Sequence, residues 1–261
     1  MPSSHAGSGR ASDSVIRIVF PTAMLELGMH PDPSVEIQLS WACSRWLVEN
    51  VTPHDANMKT MVYLPLCDPE ASLRAIEYFT GKPGVVGFTV TTTRYQPVHD
   101  NRYMPVYAAL QEETCRLPSH ASFYQKETVI RRHQQFPVGT CPWFRIPTMV
   151  RATNMVINGI PERFPNLKVI WIESGLTWVP FLMQRLDNEY MMRTSEAPLL
   201  RKKPSDYLRE NFYYTTQPLE MDNMGALELT MEMINAESQL LFASDYPHWD
   251  FSTIYNFPFP K

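Results

Sequence analysis

The sequence predicts an α/β fold: a parallel sheet with helical crossovers, of the eight-stranded β/α barrel type, with seven strands recognisable. Three observations predict it. Short β-branched or apolar runs alternate with helical patterns along the whole chain, as parallel strands joined by crossover helices do. No G-x-G-x-x-G turn is present, and such a turn often opens a doubly wound sheet. Three of the runs end on or beside an ionisable residue, as strands do at the mouth of a barrel.

The first strand is read at residues 15–20 (VIRIVF), β-branched and closed by Pro21. The second is 61–66 (MVYLPL), which runs into Asp68 and Pro69, a residue that caps a helix and one that opens it. The third, 84–93 (GVVGFTVTTT), follows the breaker GKPG, and the fourth is 117–124 (LPSHASFY). The fifth, 167–175 (LKVIWIESG), is the most apolar. The sixth and seventh are 212–217 (FYYTTQ) and 240–245 (LLFASD). Helices are predicted at 34–51, 69–79, 102–113, 148–164, 178–193 and 224–236. In the first of them Leu39, Ala42, Cys43, Trp46 and Leu47 recur three and four apart, which marks one buried face. Residues 123–147 are the least patterned stretch and read as a long loop over the mouth.

With 261 residues the chain is long enough to bury a sizeable core. Residues 15–261 read as one barrel domain. Residues 1–14, polar and small, read as a disordered tail that includes His5. A net charge of −4 without a basic stripe argues against nucleic acid as a partner. No apolar run reaches membrane-spanning length, and the start lacks the apolar centre of a signal peptide. The four cysteines are widely spaced and read as reduced thiols. A cytoplasmic location is the expectation.

The strand ends carry the candidate site. His120 lies in LPSHAS, Glu173 ends VIWIESG, and Asp245 ends LLFASD with His248 just beyond. Each alone has a structural explanation: a core histidine, an ion-pair partner, a turn cap. Three ionisable groups inside apolar strands of one barrel are costly to bury without a purpose, and such groups collect at functional sites. Because side chains alternate along a strand, an inward Glu173 would put the bulky Trp171 inward as well. Imidazole and carboxylates suit a divalent metal, zinc first and manganese second. The ion would either make hydroxide available at neutral pH or hold a substrate carboxylate or phenolate during carbon–carbon cleavage. Residue spacing does not separate these two uses.

Two stretches, ERFPNLKVIWIESGLTWVPFLMQRLDNEYMMRTSEAPLL and QLLFASDYPHWDF, carry a resemblance. With LPLCDPEASLRAIEYF and PVHDNRYMPVYAALQEE, the chain resembles the amidohydrolase-related (amidohydrolase 2) family. The branch is the one that includes 2-amino-3-carboxymuconate semialdehyde decarboxylase and γ-resorcylate decarboxylase. The resemblance implies a (β/α)8 barrel of the metal-dependent hydrolase type. It implies hydrolysis or decarboxylation of a small carboxylated or cyclic substrate. His120 takes the place of a metal ligand, and Asp245 that of a ligand or acid/base. Glu173 stands where the family usually has a histidine. Arg151, His248 and Trp249 are assigned to substrate binding; an arginine suits a carboxylate through its bidentate fork.

Two departures are visible. The family's first-strand His-x-His or Glu-x-His pair has no counterpart here, and relatives continue into a last helix. The chain therefore resembles a member without its first βα unit and last helix. Two functional readings follow: a metal-dependent enzyme, or an inactive remnant or non-catalytic binding subunit. A small-molecule substrate and a homo-oligomer are the partners implied.

Overall fold

The computed structural model describes residues 16–91, 97–113, 116–120 and 145–248. Seven strands form one sheet: β1 Arg17–Val19, β2 Met58–Tyr63, β3 Val85–Thr89, β4 Arg116–His120, β5 Lys168–Ile172, β6 Phe212–Thr215 and β7 Leu240–Leu241. Every neighbouring pair is parallel, and the spatial order is the sequence order. That is the winding of a β/α barrel. A doubly wound sheet would reverse direction at a switch point.

Alternation sorts the side chains into two faces. Val62, Phe88, Leu117, Val169, Trp171, Phe212 and Tyr214 join one core with the surrounding helices. The alternate residues Met61, Thr89, Ile170, Ile172 and Thr215 stand outside that core cluster yet are buried too. A sheet buried on both faces with helices on one of them must curl over the other. The curl is seen at the mouth, where Thr22, just after β1, lies 3.3 Å from His248, beyond β7. Among the described residues β1 and β7 do not pair with each other.

The helices are α1 Pro33–Trp46, α2 Pro69–Phe79, α3 Met104–Glu112, α4 Arg145–Ile157, α5 Ile160–Arg163, α6 Trp178–Met192, α7 Pro204–Glu210, α8 Met224–Met233 and α9 Ala236–Gln239. Helix α2 coincides with its prediction. Asp68 caps it by accepting from the Glu70 and Ala71 N–H groups, and Ala71, Ala75, Ile76 and Phe79 are its buried face. The helix predicted over 148–164 is broken after Ile157, because Gly159 takes φ 66°. A Cβ there would meet Leu199 Cβ at 2.6 Å, so the turn needs glycine. Helix α7 escaped prediction; it is too short for a clear apolar stripe. No described helix is long and apolar enough to cross a membrane.

Helix α1 corrects the sequence reading. Its inner face is Glu36, Ser40 and Ser44, while Leu39 and Trp46 are 50% and 58% exposed. The small serines let α1 approach β2, and Ser44 Oγ accepts the Tyr63 N–H at 3.3 Å. Trp171 is a second correction. It packs into the helix layer, edge-on to Phe212 at 5.6 Å, and does not enter the barrel interior.

Candidate functional site at the barrel mouth

Glu173 follows β5 directly, and by strict alternation it would share the helix-side face with Trp171. Its backbone prevents this: φ is 52°, in the left-handed region. There the strand's zigzag breaks and the side chain is re-aimed. The Glu173 N–H donates to Thr215 Oγ1 at 3.2 Å, which fixes the turn against β6. Asp245 has the same conformation, φ 58°. So both carboxylates stand on left-handed turns beyond their strands, a backbone state that costs energy and gathers at functional sites.

The two turns bring Glu173, Asp245 and His248 together. One ligand atom from each lies within 4.8 Å of the other two, the one group of this kind among the described residues. His248 Nδ1 is 2.7 Å from Asp245 Oδ1, and the His248 N–H donates to the Asp245 carbonyl at 2.8 Å. Asp245 is the more enclosed of the pair, its side chain 10% exposed against 35% for His248. The His248 Nε2 faces Thr22 Oγ1 across the seam between the first and last strands.

The donors suit a divalent cation. Two groups bound to one ion at about 2.1 Å stand at most roughly 4.2 Å apart, close to the span of this set. Two carboxylates and one imidazole form a hard, oxygen-rich set. All three groups are half-buried, which strengthens charge interactions relative to open solvent.

His120 ends β4, and its backbone pairs in register with Ile172, the residue before Glu173; its side chain lies outside the described residues. Trp249 and His5 also lie outside them. Arg151 is not gathered here. It donates to Ser119 Oγ at 3.5 Å, and Ser119 pairs with Trp171 on the helix side of the sheet. Its charge also reaches Tyr107, whose hydroxyl burial pushes up and Arg151 partly pulls back. Arg145 stands closer to the mouth, 3.6 Å from Glu220. Glu220 accepts the Leu176 N–H at 3.2 Å and so pins the loop after Glu173. Gly175 makes room for this pair: a Cβ would meet Glu220 Oε1 at 2.6 Å and Arg145 Nε at 2.9 Å. Sequence reasoning missed Thr22, Thr215, Arg145 and Glu220. None is an ionisable group at the end of an apolar run, and each gains its place from a contact distant in sequence.

Comparison with known proteins agrees with this architecture. The amidohydrolase family model matches residues 17–258. The γ-resorcylate decarboxylase of Polaromonas sp. is 25% identical over 219 residues, covering 77% of this chain and 64% of that protein. The chain thus spans a little under two thirds of that relative's length. Among solved structures, the 5-carboxyvanillate decarboxylase of Sphingomonas paucimobilis superposes with a TM-score of 0.73 at 24% identity, over 88% of this chain and 67% of that one. The dihydroxybenzoic acid decarboxylase of Polaromonas sp. JS666, solved with bound manganese and 2-nitroresorcinol, gives 0.69 at 23%, over 83% and 67%. The chain belongs to the amidohydrolase family.

Proposed function

We propose that this amidohydrolase-family chain is a divalent-metal-dependent carboxy-lyase that removes the carboxylate of a small carboxylated phenol. The observation that carries the reading is the meeting of Glu173, Asp245 and His248 at one mouth. The related decarboxylases favour carbon–carbon cleavage over hydrolysis. Glu173, Asp245 and His248 would hold the ion, and His120 would join them by its family position. Zinc stands first on the sequence alone. The manganese in a relative and the oxygen-rich donor set move manganese ahead of it. When bound, the ion would grip a carboxylate or phenolate oxygen of the substrate and neutralise charge developing there.

The reaction breaks the bond between the ring and its carboxylate carbon. The ring carbon gains a proton as carbon dioxide leaves. Asp245 is assigned to carry that proton. Its enclosure, with the side chain 10% exposed, limits competing water. Glu173 fixes the opposite side of the mouth from the Thr215-anchored turn.

The test is carbon dioxide release from a panel of ortho-hydroxybenzoates by the manganese-loaded chain. We expect turnover of at least one member, falling about a hundredfold or more in Asp245→Asn, the scale of a lost acid/base group. A folded, metal-loaded chain that releases carbon dioxide from none of the panel would sink the reading. Hydrolysis of a cyclic amide or ester in its place would move the chain to the hydrolase branch.

A further inference from the structure

The structure assigns a positioning role to Thr22: its hydroxyl fixes the His248 ring so that Nδ1 is presented, beside Asp245, to a metal ion. The inference rests on the metal site proposed above and adds a residue from the far end of the chain. Thr22 opens a one-turn 3-10 helix after β1, and Pro21 precedes it. His248 lies 226 residues away. Both nitrogens of the ring face an oxygen, Nδ1 that of Asp245 at 2.7 Å and Nε2 that of Thr22 at 3.3 Å.

Histidines that bind metals nearly always engage their second ring nitrogen with an oxygen, which sets both ring orientation and tautomer. A hydroxyl suits this ring well, because it both donates and accepts. Thr22 Oγ1 accepts from Nε2–H when the bare Nδ1 faces an ion. It donates to Nε2 when Nδ1–H points at Asp245. Without Thr22, a ring this exposed to solvent turns about its own bonds, and Nδ1 leaves the cluster for part of the time. The contact also joins the segments after β1 and β7, whose strands do not pair among the described residues. Thr22 therefore holds the open side of the mouth at the histidine.

The experiment measures Mn2+ affinity by equilibrium dialysis on the full chain, wild type beside Thr22→Val and Thr22→Ser. Circular dichroism confirms that each is folded. Nitrogen coupling to the bound Mn2+, read by pulsed electron paramagnetic resonance, reports the imidazole directly. We expect Thr22→Val to weaken binding about 10- to 100-fold, the usual effect of losing such a partner, with reduced nitrogen coupling. Thr22→Ser should retain both. Equal affinity in wild type and Thr22→Val overturns the inference and leaves the proposed function standing. Equal loss in Val and Ser also overturns it, since the methyl and not the hydroxyl would then matter. No Mn2+ binding by the wild type overturns the metal site itself, and this inference with it.

Discussion

Glu173 shows how a single backbone angle makes a site. At φ 52° it occupies a region that costs a residue with a Cβ about 1 kcal/mol or more. In exchange, a carboxylate that alternation would send to the helix side faces the mouth. A trade of that kind is testable. Glu173→Gly removes the strain but loosens the unfolded chain by about 0.4–1 kcal/mol, so the two effects nearly cancel. We expect an unchanged or slightly higher denaturation midpoint in the metal-free protein, together with a clear loss of Mn2+ affinity. A stability lowered by about 2 kcal/mol or more, beyond what the loosened unfolded chain explains, would mean that the Glu173 side chain holds the fold. Its presence at the rim would then need no function. Both carboxylates, and His248, were legible in the sequence because each interrupts or closely follows an apolar run. Their left-handed turns were not, since SG and DYP are compatible with several turn types. Thr22 was illegible for a simpler reason: a threonine after a strand-closing proline looks the same with or without a partner 226 residues away.

Among the elements, α1 is the instructive failure. Leu39, Ala42, Cys43, Trp46 and Leu47 satisfy helical spacing, but so do Glu36, Ser40, Ser44 and Leu47 on a face turned by little more than one residue. Hydrophobicity favours the first set; close approach to β2 favours the second, because serine leaves room and Ser44 Oγ accepts a strand N–H. The structure takes the second. A core position would make the removal of Trp46 cost about 3–5 kcal/mol. On the exposed face, Trp46→Lys should change stability by no more than about 0.5 kcal/mol, read from urea melts at constant slope. A loss on the core scale would restore the predicted face. Helix α2 was legible to the residue because its cap, its proline and its apolar stripe agree. Where local signals agree the element can be read, and where two faces compete only the neighbouring strand decides.

For the whole molecule, the common direction of the seven strands was legible from strand–helix alternation, and the barrel order from the number of strands and the missing G-x-G-x-x-G turn. The contact that joins the two ends of the sheet was not, because it comes from packing across the seam and leaves no local pattern. The mouth is the part of the fold a metal ion would most affect. Glu173 follows β5, Asp245 and His248 follow β7, and Thr22 follows β1, so one ion would tie together strands from both sides of the open seam. An ion bound to the folded chain and not to the unfolded one stabilises it by about 2.7 kcal/mol at a hundred times its dissociation constant. At roughly 2–4 °C for each kcal/mol in a chain of this size, Mn2+ should raise the melting temperature by about 5–10 °C. The rise should disappear in Glu173→Gln, which keeps the shape of the side chain and loses its charge. Mg2+ at the same concentration should give a smaller rise, because it demands near-ideal octahedral geometry and dehydrates reluctantly. If Mn2+ leaves the melting curve unmoved in the wild type, the carboxylates and the imidazole share a rim without sharing an ion. Their closeness would then belong to the packing of the seam, with Asp245 and His248 acting as a structural pair that fastens the last strand to the first.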